Sequence, residues 1–122
     1  MQHRRWIERI QHIIESIDKI QQYTEGMNQQ EFEATSIAVD AVIRNFEIIG
    51  EAVRYIPDDA QHRYPNVPWA KMRAMRNIVI HEYQAVDPEV VWSTVRYDLP
   101  PLLPHLRQML RSENPTRISC GE

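Results

Sequence analysis

The sequence predicts an all-α protein, an antiparallel bundle of four to five helices. Apolar residues recur at three- and four-residue spacing along most of the chain, while the strict alternation typical of strands is nearly absent. Prolines and glycines fall between these apolar runs. With 122 residues, 43% apolar and 25% charged, the chain can bury one core and has the composition of a globular protein. We therefore predict a single domain over residues 1–111.

The first helix is predicted from about residue 3 to residue 24. Gly26 follows it, and glycine adopts the left-handed conformation common at helix ends without a steric penalty. Spacing of four and three indicates a helix packed nearly parallel or antiparallel to a partner. The residues with this spacing are Trp6, Ile10, Ile13, Ile17 and Ile20.

A second helix is predicted to begin at Asn28, because Asn28 and Glu31 have capping-box spacing, and to end at Pro57. Only a few residues separate it from the first helix, so the two should form an antiparallel hairpin. Its predicted apolar seam comprises Val39, Val42, Phe46, Ile49, Val53 and Ile56.

Three prolines between Pro57 and Pro68 predict a long, stiffened loop before a third helix from about Pro68 to Tyr83. Asp87-Pro88-Glu89 supplies a cap, a first-turn proline and an acidic first turn for a fourth helix. We expect prolines to kink or break this helix near Leu99. They are Pro100, Pro101 and Pro104, within a seam of Val91, Val95, Leu99, Leu102, Leu106 and Leu110. Residues 112–122 carry no pattern and are expected to form a frayed tail.

The charge distribution separates one basic stretch from an acidic whole. Net charge is −3, yet no acidic residue lies between Asp59 and Glu82. The cationic or titratable residues in that interval are His62, Arg63, Lys71, Arg73, Arg76 and His81. Chance clustering on a solvated helix face is the alternative.

Neither a secretory signal nor a membrane span is apparent, so we expect a cytoplasmic protein with no membrane association. The single cysteine, Cys120, excludes an intrachain disulfide and a thiolate metal cluster.

The candidate chemistry lies in the third helix, at Arg76, His81 and Tyr83. Arginine is a permanently charged fork that matches phosphate oxygens, histidine moves protons near neutrality, and tyrosine offers a hydroxyl. These side chains could cut RNA without a metal. Structural alternatives remain at this point, because a lone histidine near a helix end is more often a surface or capping residue.

Arg76 occupies a position that the helical pattern assigns to buried contacts. Because an unpaired buried guanidinium costs several kcal/mol, it must face a cleft, a carboxylate or another subunit. The structural alternative is an ion pair with the second helix, whose charged face carries Asp40, Arg44, Glu47, Glu51 and Arg54. Glu47 and Glu51 could also hold a cation, although a solvated charged face explains them better.

Helical geometry separates the candidate residues. Arg76 and Tyr83 share a face, whereas His81 lies about 140° round from Arg76. Either the helix loosens after Ile80, or two copies of the motif meet across a two-fold axis and complete each other's site. We expect no cofactor or metal, since the glycines are scattered and the histidines lack ligand spacing.

The motif Arg76-Asn77-x3-His81-x-Tyr83, at the end of a third helix in a short all-α chain, resembles the HEPN superfamily, specifically its HepT-like ribonuclease-toxin branch. Three flanking segments also resemble that family. They are Arg44–Ala52 of the second helix, Val67–Trp69 at the entry to the third, and Glu82–Asp87 at its exit.

This resemblance implies a metal-independent endoribonuclease that acts as a homodimer, with its RNA cleft at the two-fold interface. Arg76 and His81 would be the catalytic pair and Asn77 the supporting polar residue. Tyr83 would be the tyrosine that a cognate nucleotidyltransferase antitoxin modifies with AMP. The alternative is a non-catalytic helical partner subunit of a nucleotidyltransferase. Lys71 and Arg73, in the same basic stretch, are predicted RNA contacts.

Overall fold

The computed structural model describes the backbone of residues 2–81 and 87–113 and the side chains of residues 5–77 and 87–113. The predicted all-α fold is confirmed, and no strand occurs in these ranges. The elements are α1 (Gln2–Tyr23), α2 (Gln29–Ala34), α3 (Ser36–Val53), α4 (Asp58–Arg63), α5 (Trp69–His81), α6 (Pro88–Ser93), a π-helical turn (Thr94–Asp98) and α7 (Leu102–Glu113).

The centre of the bundle is α3, which packs against both α1 and α5, while α1 also packs against α7. The predicted seam of α1 is buried, with Ile13, Ile17 and Ile20 fully inaccessible. Gly26 adopts the expected left-handed conformation, with φ at 78°. The first helix and its end therefore follow the prediction closely.

The predicted second helix is two helices, because the chain breaks at Thr35. Its start is confirmed: Asn28 and Glu31 form a reciprocal capping box. Thr35 leaves helical geometry at φ −108° and ψ 89°, and its hydroxyl donates to the Glu31 carbonyl at 2.7 Å. That side-chain bond competes with the backbone ladder, which explains an interruption that apolar periodicity does not register.

The segment between Pro57 and Pro68 contains a short helix, α4, so the prediction of a loop without regular structure was wrong. Its first turn is acidic and its last turn basic, which complements the helix dipole. The indole N–H of Trp69 donates to the carbonyls of Gln61 at 3.2 Å and Tyr64 at 3.1 Å. These bonds anchor the start of α5 to the end of α4.

The fourth predicted helix is interrupted near Leu99, as expected. Asp87 caps α6 by accepting from the Glu89 amide at 3.0 Å. The π-helical turn follows, and the Leu99 amide donates five residues back to the Thr94 carbonyl at 3.0 Å. Beyond the prolines, α7 runs to Glu113; the rest of the predicted tail, residues 114–122, lies outside the described residues.

One hydrophobic core joins these elements. Phe32 of α2 is fully buried and meets Trp92 of α6 with ring centroids 5.2 Å apart. Of the helices in the described ranges, none is long and apolar enough to span a membrane.

Candidate functional site

The site begins with a close approach between α3 and α5 at Gly50. A Cβ built on Gly50 would lie 2.6 Å from the Arg76 Cβ and 2.9 Å from the Arg76 backbone nitrogen. Real Cβ contacts essentially never occur at such distances, so only glycine permits this spacing. The backbone of α3 therefore sets the position of Arg76 directly.

The guanidinium of Arg76 is held by a carboxylate of α3. Arg76 Nε lies 3.2 Å from Glu51 Oε1, and the two side chains are 41% and 40% exposed. Glu51 also pairs with Arg54, whose Nη1 lies 3.2 Å from Oε2. Arg76 is thus paired at Nε, while its side chain remains 41% exposed.

Arg76 lines an open cleft of about 400 Å³ between α1, α3 and α5. Three arginines and a histidine line it against two glutamates, giving a positive cleft on a chain with a net charge of −3. The lining residues are Arg9, His12, Arg44, Glu47, Ile48, Glu51, Ala52 and Arg76.

The two cleft glutamates are engaged by arginines. Arg44 Nη1 lies 3.7 Å from Glu47 Oε1, and Arg76 holds Glu51. These contacts favour the charged-face interpretation of Glu47 and Glu51 over a cation site.

Arg76 does not lie on the buried face to which the helical pattern assigned its position; it faces a cleft and a carboxylate, as the sequence analysis required of a guanidinium there. Trp69, Met72 and Met75 carry the buried face of α5, and Arg76 lies at its edge. The predicted ion pair with the charged face of the second helix is present, but it does not seal the guanidinium.

The remaining predicted site residues fall in different places. Asn77 is exposed, directly after Arg76 on α5. His81 is the last residue of that helix; its side chain, and Tyr83 altogether, lie outside the described residues. Lys71 and Arg73 are exposed on α5 and do not line the cleft, and Arg73 donates to Gln61 Oε1 at 3.1 Å. Their role as RNA contacts stays a prediction.

The basic stretch is less uniform than its sequence suggests, because Arg63, the last residue of α4, is already paired with carboxylates. It pairs with Asp59 and Glu113, each at 3.2 Å, and the hydrogen bond to Glu113 is the main cause that raises the pKa of Arg63. Burial, followed by a 2.5 Å hydrogen bond to Glu113, raises the pKa of the Tyr64 phenol. This cluster joins α4 to α7 and lies outside the lining of the cleft.

Sequence reasoning missed two contributors from α1, Arg9 and His12. Their membership in the cleft follows from how α1 packs on α3, a long-range contact that periodicity does not specify. The role of Gly50 in the close approach of α3 and α5 was also missed. A glycine inside a strongly helical run was the available signal, because glycine there normally destabilises a helix and usually has a packing reason.

The fold and cleft together describe a small helical protein with an exposed arginine in a positive cleft, and comparison with known proteins gives the family. The sequence model of the Ribonuclease HepT-like family matches residues 13–109. This chain belongs to the HepT-like ribonuclease family, as its motif predicted, and this membership supports an RNA-cleaving enzyme.

Curated relatives agree with that assignment. A protein of Methanocaldococcus jannaschii named "Putative RNase" is 42% identical over 88 residues, covering 72% of this chain and 81% of that one. A "Probable ribonuclease HepT" of Thermococcus cleftensis is 40% identical over 93 residues, 76% of this chain and 84% of its own length.

A longer relative from Methanocaldococcus jannaschii is named "Gamma-glutamylcyclotransferase and putative RNase". It is 39% identical over 93 residues, which cover 76% of this chain but only 42% of the relative. The matched region is therefore less than half of that longer protein. No solved structure matches the chain.

Proposed function

We propose that this protein is a metal-independent endoribonuclease toxin, with Arg76 and His81 as the catalytic pair. The observation that carries the proposal is the Arg76 guanidinium, 41% exposed at a positive cleft while Glu51 holds its inner edge. Such a side chain is oriented before substrate arrives and keeps N–H donors for a phosphate. Family membership supplies RNA as the substrate class.

The reaction is a transesterification at phosphorus. The ribose 2′-oxygen attacks the adjacent phosphorus, the bond from phosphorus to the 5′-oxygen breaks, and a 2′,3′-cyclic phosphate remains. His81 takes the 2′-hydroxyl proton or gives one to the leaving 5′-oxygen, and Arg76 neutralises charge on the phosphorus oxygens. DNA lacks the attacking hydroxyl and should be spared.

Two chains would be needed to assemble this pair. Because α5 remains α-helical up to His81, backbone positions 76 and 81 lie about 140° apart around its axis. This geometry supports the second of the two alternatives, a homodimer in which the motifs meet across a two-fold axis. Asn77, exposed beside Arg76, would add a polar contact to RNA.

The regulation that accompanies this function is modification of Tyr83 by a cognate nucleotidyltransferase antitoxin. The phenolic oxygen would attack the α-phosphorus of ATP, lose its proton and release pyrophosphate, which adds bulk and a negative phosphate two residues beyond the end of α5. That charge would repel an RNA phosphate approaching the motif and would compete for Arg76.

A second candidate function is a non-catalytic partner subunit of a nucleotidyltransferase. The ion pair between Arg76 and Glu51 is the observation that favours it, because arginines paired across helices often have a structural role. The exposure of Arg76 at the cleft supports the enzyme, because a phosphate can reach its guanidinium.

The decisive experiment is cleavage of RNA by purified protein in the presence of a chelator. Arg76→Ala should reduce the rate at least about 100-fold, and His81→Ala about 100- to 10,000-fold, at unchanged folding. The matched control is Arg107→Ala, because Arg107 is an exposed arginine paired with Asp18 at 3.5 Å. Cleavage that survives both motif substitutions, or that needs a divalent cation, would contradict the proposal.

A further inference from the structure

A second basic feature runs along α1, beside the cleft. Arg5, Arg9 and His12 follow each other at four- and three-residue spacing, which places them on one face of the helix. Arg9 and His12 line the Arg76 cleft. Within the described residues no carboxylate lies within ion-pair distance of these three side chains, whereas Arg44, Arg54 and Arg76 all have glutamate partners.

Arg9 is held in place by an aromatic ring instead. Its guanidinium carbon lies 4.2 Å from the centroid of the Tyr55 ring. The Tyr55 side chain follows the end of α3 and is 52% exposed; Tyr23 and Tyr97 are exposed as well, so the feature that distinguishes Tyr55 is the Arg9 guanidinium on its ring. A cation fixed on an aromatic face loses little conformational freedom when it binds an anion.

A smaller cleft of about 290 Å³ opens at this pair. Arg9 lines both clefts, so the smaller one adjoins the Arg76 cleft and extends it along α1. No acidic residue lines it; its lining residues are Arg5, Trp6, Arg9, Tyr55 and Pro57.

This combination fits one ligand class. Proteins that bind single-stranded nucleic acid pair a positive groove for the backbone with aromatic rings on which bases stack. An acidic or phosphorylated protein segment would use the arginines but not the Tyr55 ring that lies beside Arg9. A strand with one phosphate at Arg76 and the next nucleotide at Arg9 and Tyr55 uses both clefts.

We propose that Arg9 and Tyr55 form a nucleotide-binding subsite for single-stranded RNA adjoining Arg76. The N–H edge of Arg9 binds a backbone phosphate, and the exposed part of the Tyr55 ring stacks with the neighbouring base. The subsite rests on the proposed function, since it positions a strand whose scissile phosphate lies at Arg76. It adds RNA contacts from α1 and from the end of α3, outside the basic stretch of residues 60–81.

The test measures binding of a fluorescent single-stranded RNA that is 2′-O-methylated throughout, so that cleavage does not interfere. Tyr55→Ala should weaken binding about 5- to 100-fold through lost stacking, and Tyr55→Phe should bind as the parent does. Arg9→Gln should weaken binding and lower the slope of log affinity against log salt by about 0.7, the value for one phosphate contact on a single strand. Tyr97→Ala, at an exposed tyrosine of the π-helical turn, and Arg107→Ala are the matched controls.

An abasic scan then locates the stacked base. Removing one base at the nucleotide that meets Tyr55 should weaken binding to the parent protein and have no further effect on Tyr55→Ala. Thermal unfolding and light scattering accompany each variant. Arg9→Lys, which keeps the charge and the aliphatic stem, replaces Arg9→Gln if the latter unfolds and should retain the salt slope.

The outcomes separate this subsite from the proposed function. Unchanged RNA affinity in both subsite variants overturns the subsite. If those variants also lose dimers at unchanged RNA affinity, this surface is a protein interface instead. If the parent protein binds the methylated RNA through Arg9 and Tyr55 yet cleaves no RNA, the subsite stands and the nuclease proposal fails.

Discussion

At the scale of single residues, the position of Arg76 depends on the lack of a side chain at Gly50. Gly50 has no Cβ, and any other residue there would meet the backbone and Cβ of Arg76. Neither contact is the mobile end of a side chain, so only a movement of α5 relative to α3 could relieve the overlap.

Replacing Gly50 by alanine should therefore destabilise the protein by about 1–3 kcal/mol through overpacking. If nothing obstructed the position, alanine would instead stabilise the helix by about 1 kcal/mol relative to glycine. Overpacking and helix propensity therefore predict opposite signs for the change in unfolding free energy. Denaturant unfolding of Gly50→Ala measures this difference, and RNA cleavage should fall with it because Arg76 moves. A more stable variant with full activity would show that the helices do not need this close approach.

The residue-level site was only partly predictable from sequence. Arg76 and its carboxylate partner on the charged face of the second helix could be predicted, because each lies in a recognisable helical pattern. Arg9 and Tyr55 were not, since their contact joins α1 to the segment after α3 and depends on how two helices pack. Chemistry within one helix can be read from spacing, whereas a cleft built by three helices cannot.

At the scale of elements, short segments connect the long helices through side-chain hydrogen bonds. Tyr64, directly after α4, donates to Glu113 at the end of α7, and Arg63 pairs with the same carboxylate. A neutral phenol is required for this donation, and burial of the ring also favours the neutral form.

The raised pKa of Tyr64 predicts a specific pH dependence. A group whose pKa is higher in the folded state contributes stability below its unfolded pKa, here the ordinary 10.0 of tyrosine, and loses it as pH rises through the folded value. The difference in unfolding free energy between the parent and Tyr64→Phe should be constant at neutral pH and shrink above about pH 10. A difference that stays constant through pH 11 would contradict the assignment of the phenol as the donor.

The elements that sequence analysis predicted are those with long apolar periods or with a clear cap, glycine or proline signal. The seam of α1 and the cap of α6 follow directly from residue spacing. The break at Thr35, the helix α4 and the π-helical turn were missed because each depends on a few local hydrogen bonds. Apolar residues continue at helical spacing through these interruptions, so the spacing does not reveal them.

At the scale of the whole molecule, the geometry of α5 bears on how many chains form one active site. Its helical geometry places backbone positions 76 and 81 about 140° apart around the α5 axis. The proposed homodimer would resolve this by bringing position 76 of one chain to position 81 of another.

Mixing two inactive variants tests the shared site. Arg76→Ala and His81→Ala are purified separately, combined, and exchanged through mild denaturant. Random pairing makes about half of all dimers mixed, and each mixed dimer contains one complete site, so about a quarter of the parental RNA cleavage should return. Sites contained within single chains would recover none, and that result would refute the shared site while leaving the nuclease itself intact.

The carboxylate of Glu51 has a consequence for turnover. Its Oε1 lies 3.2 Å from Arg76 Nε, and Arg54 Nη1 donates to both carboxylate oxygens, to Oε2 at 3.2 Å and to Oε1 at 3.4 Å. When a phosphate draws Arg76 forward, Arg54 can keep the carboxylate paired, so the exchange of partners strands no negative charge. In the proposed reaction, Arg76 would move from Glu51 to the substrate phosphate and return after product release, while Arg54 stays paired with Glu51 throughout.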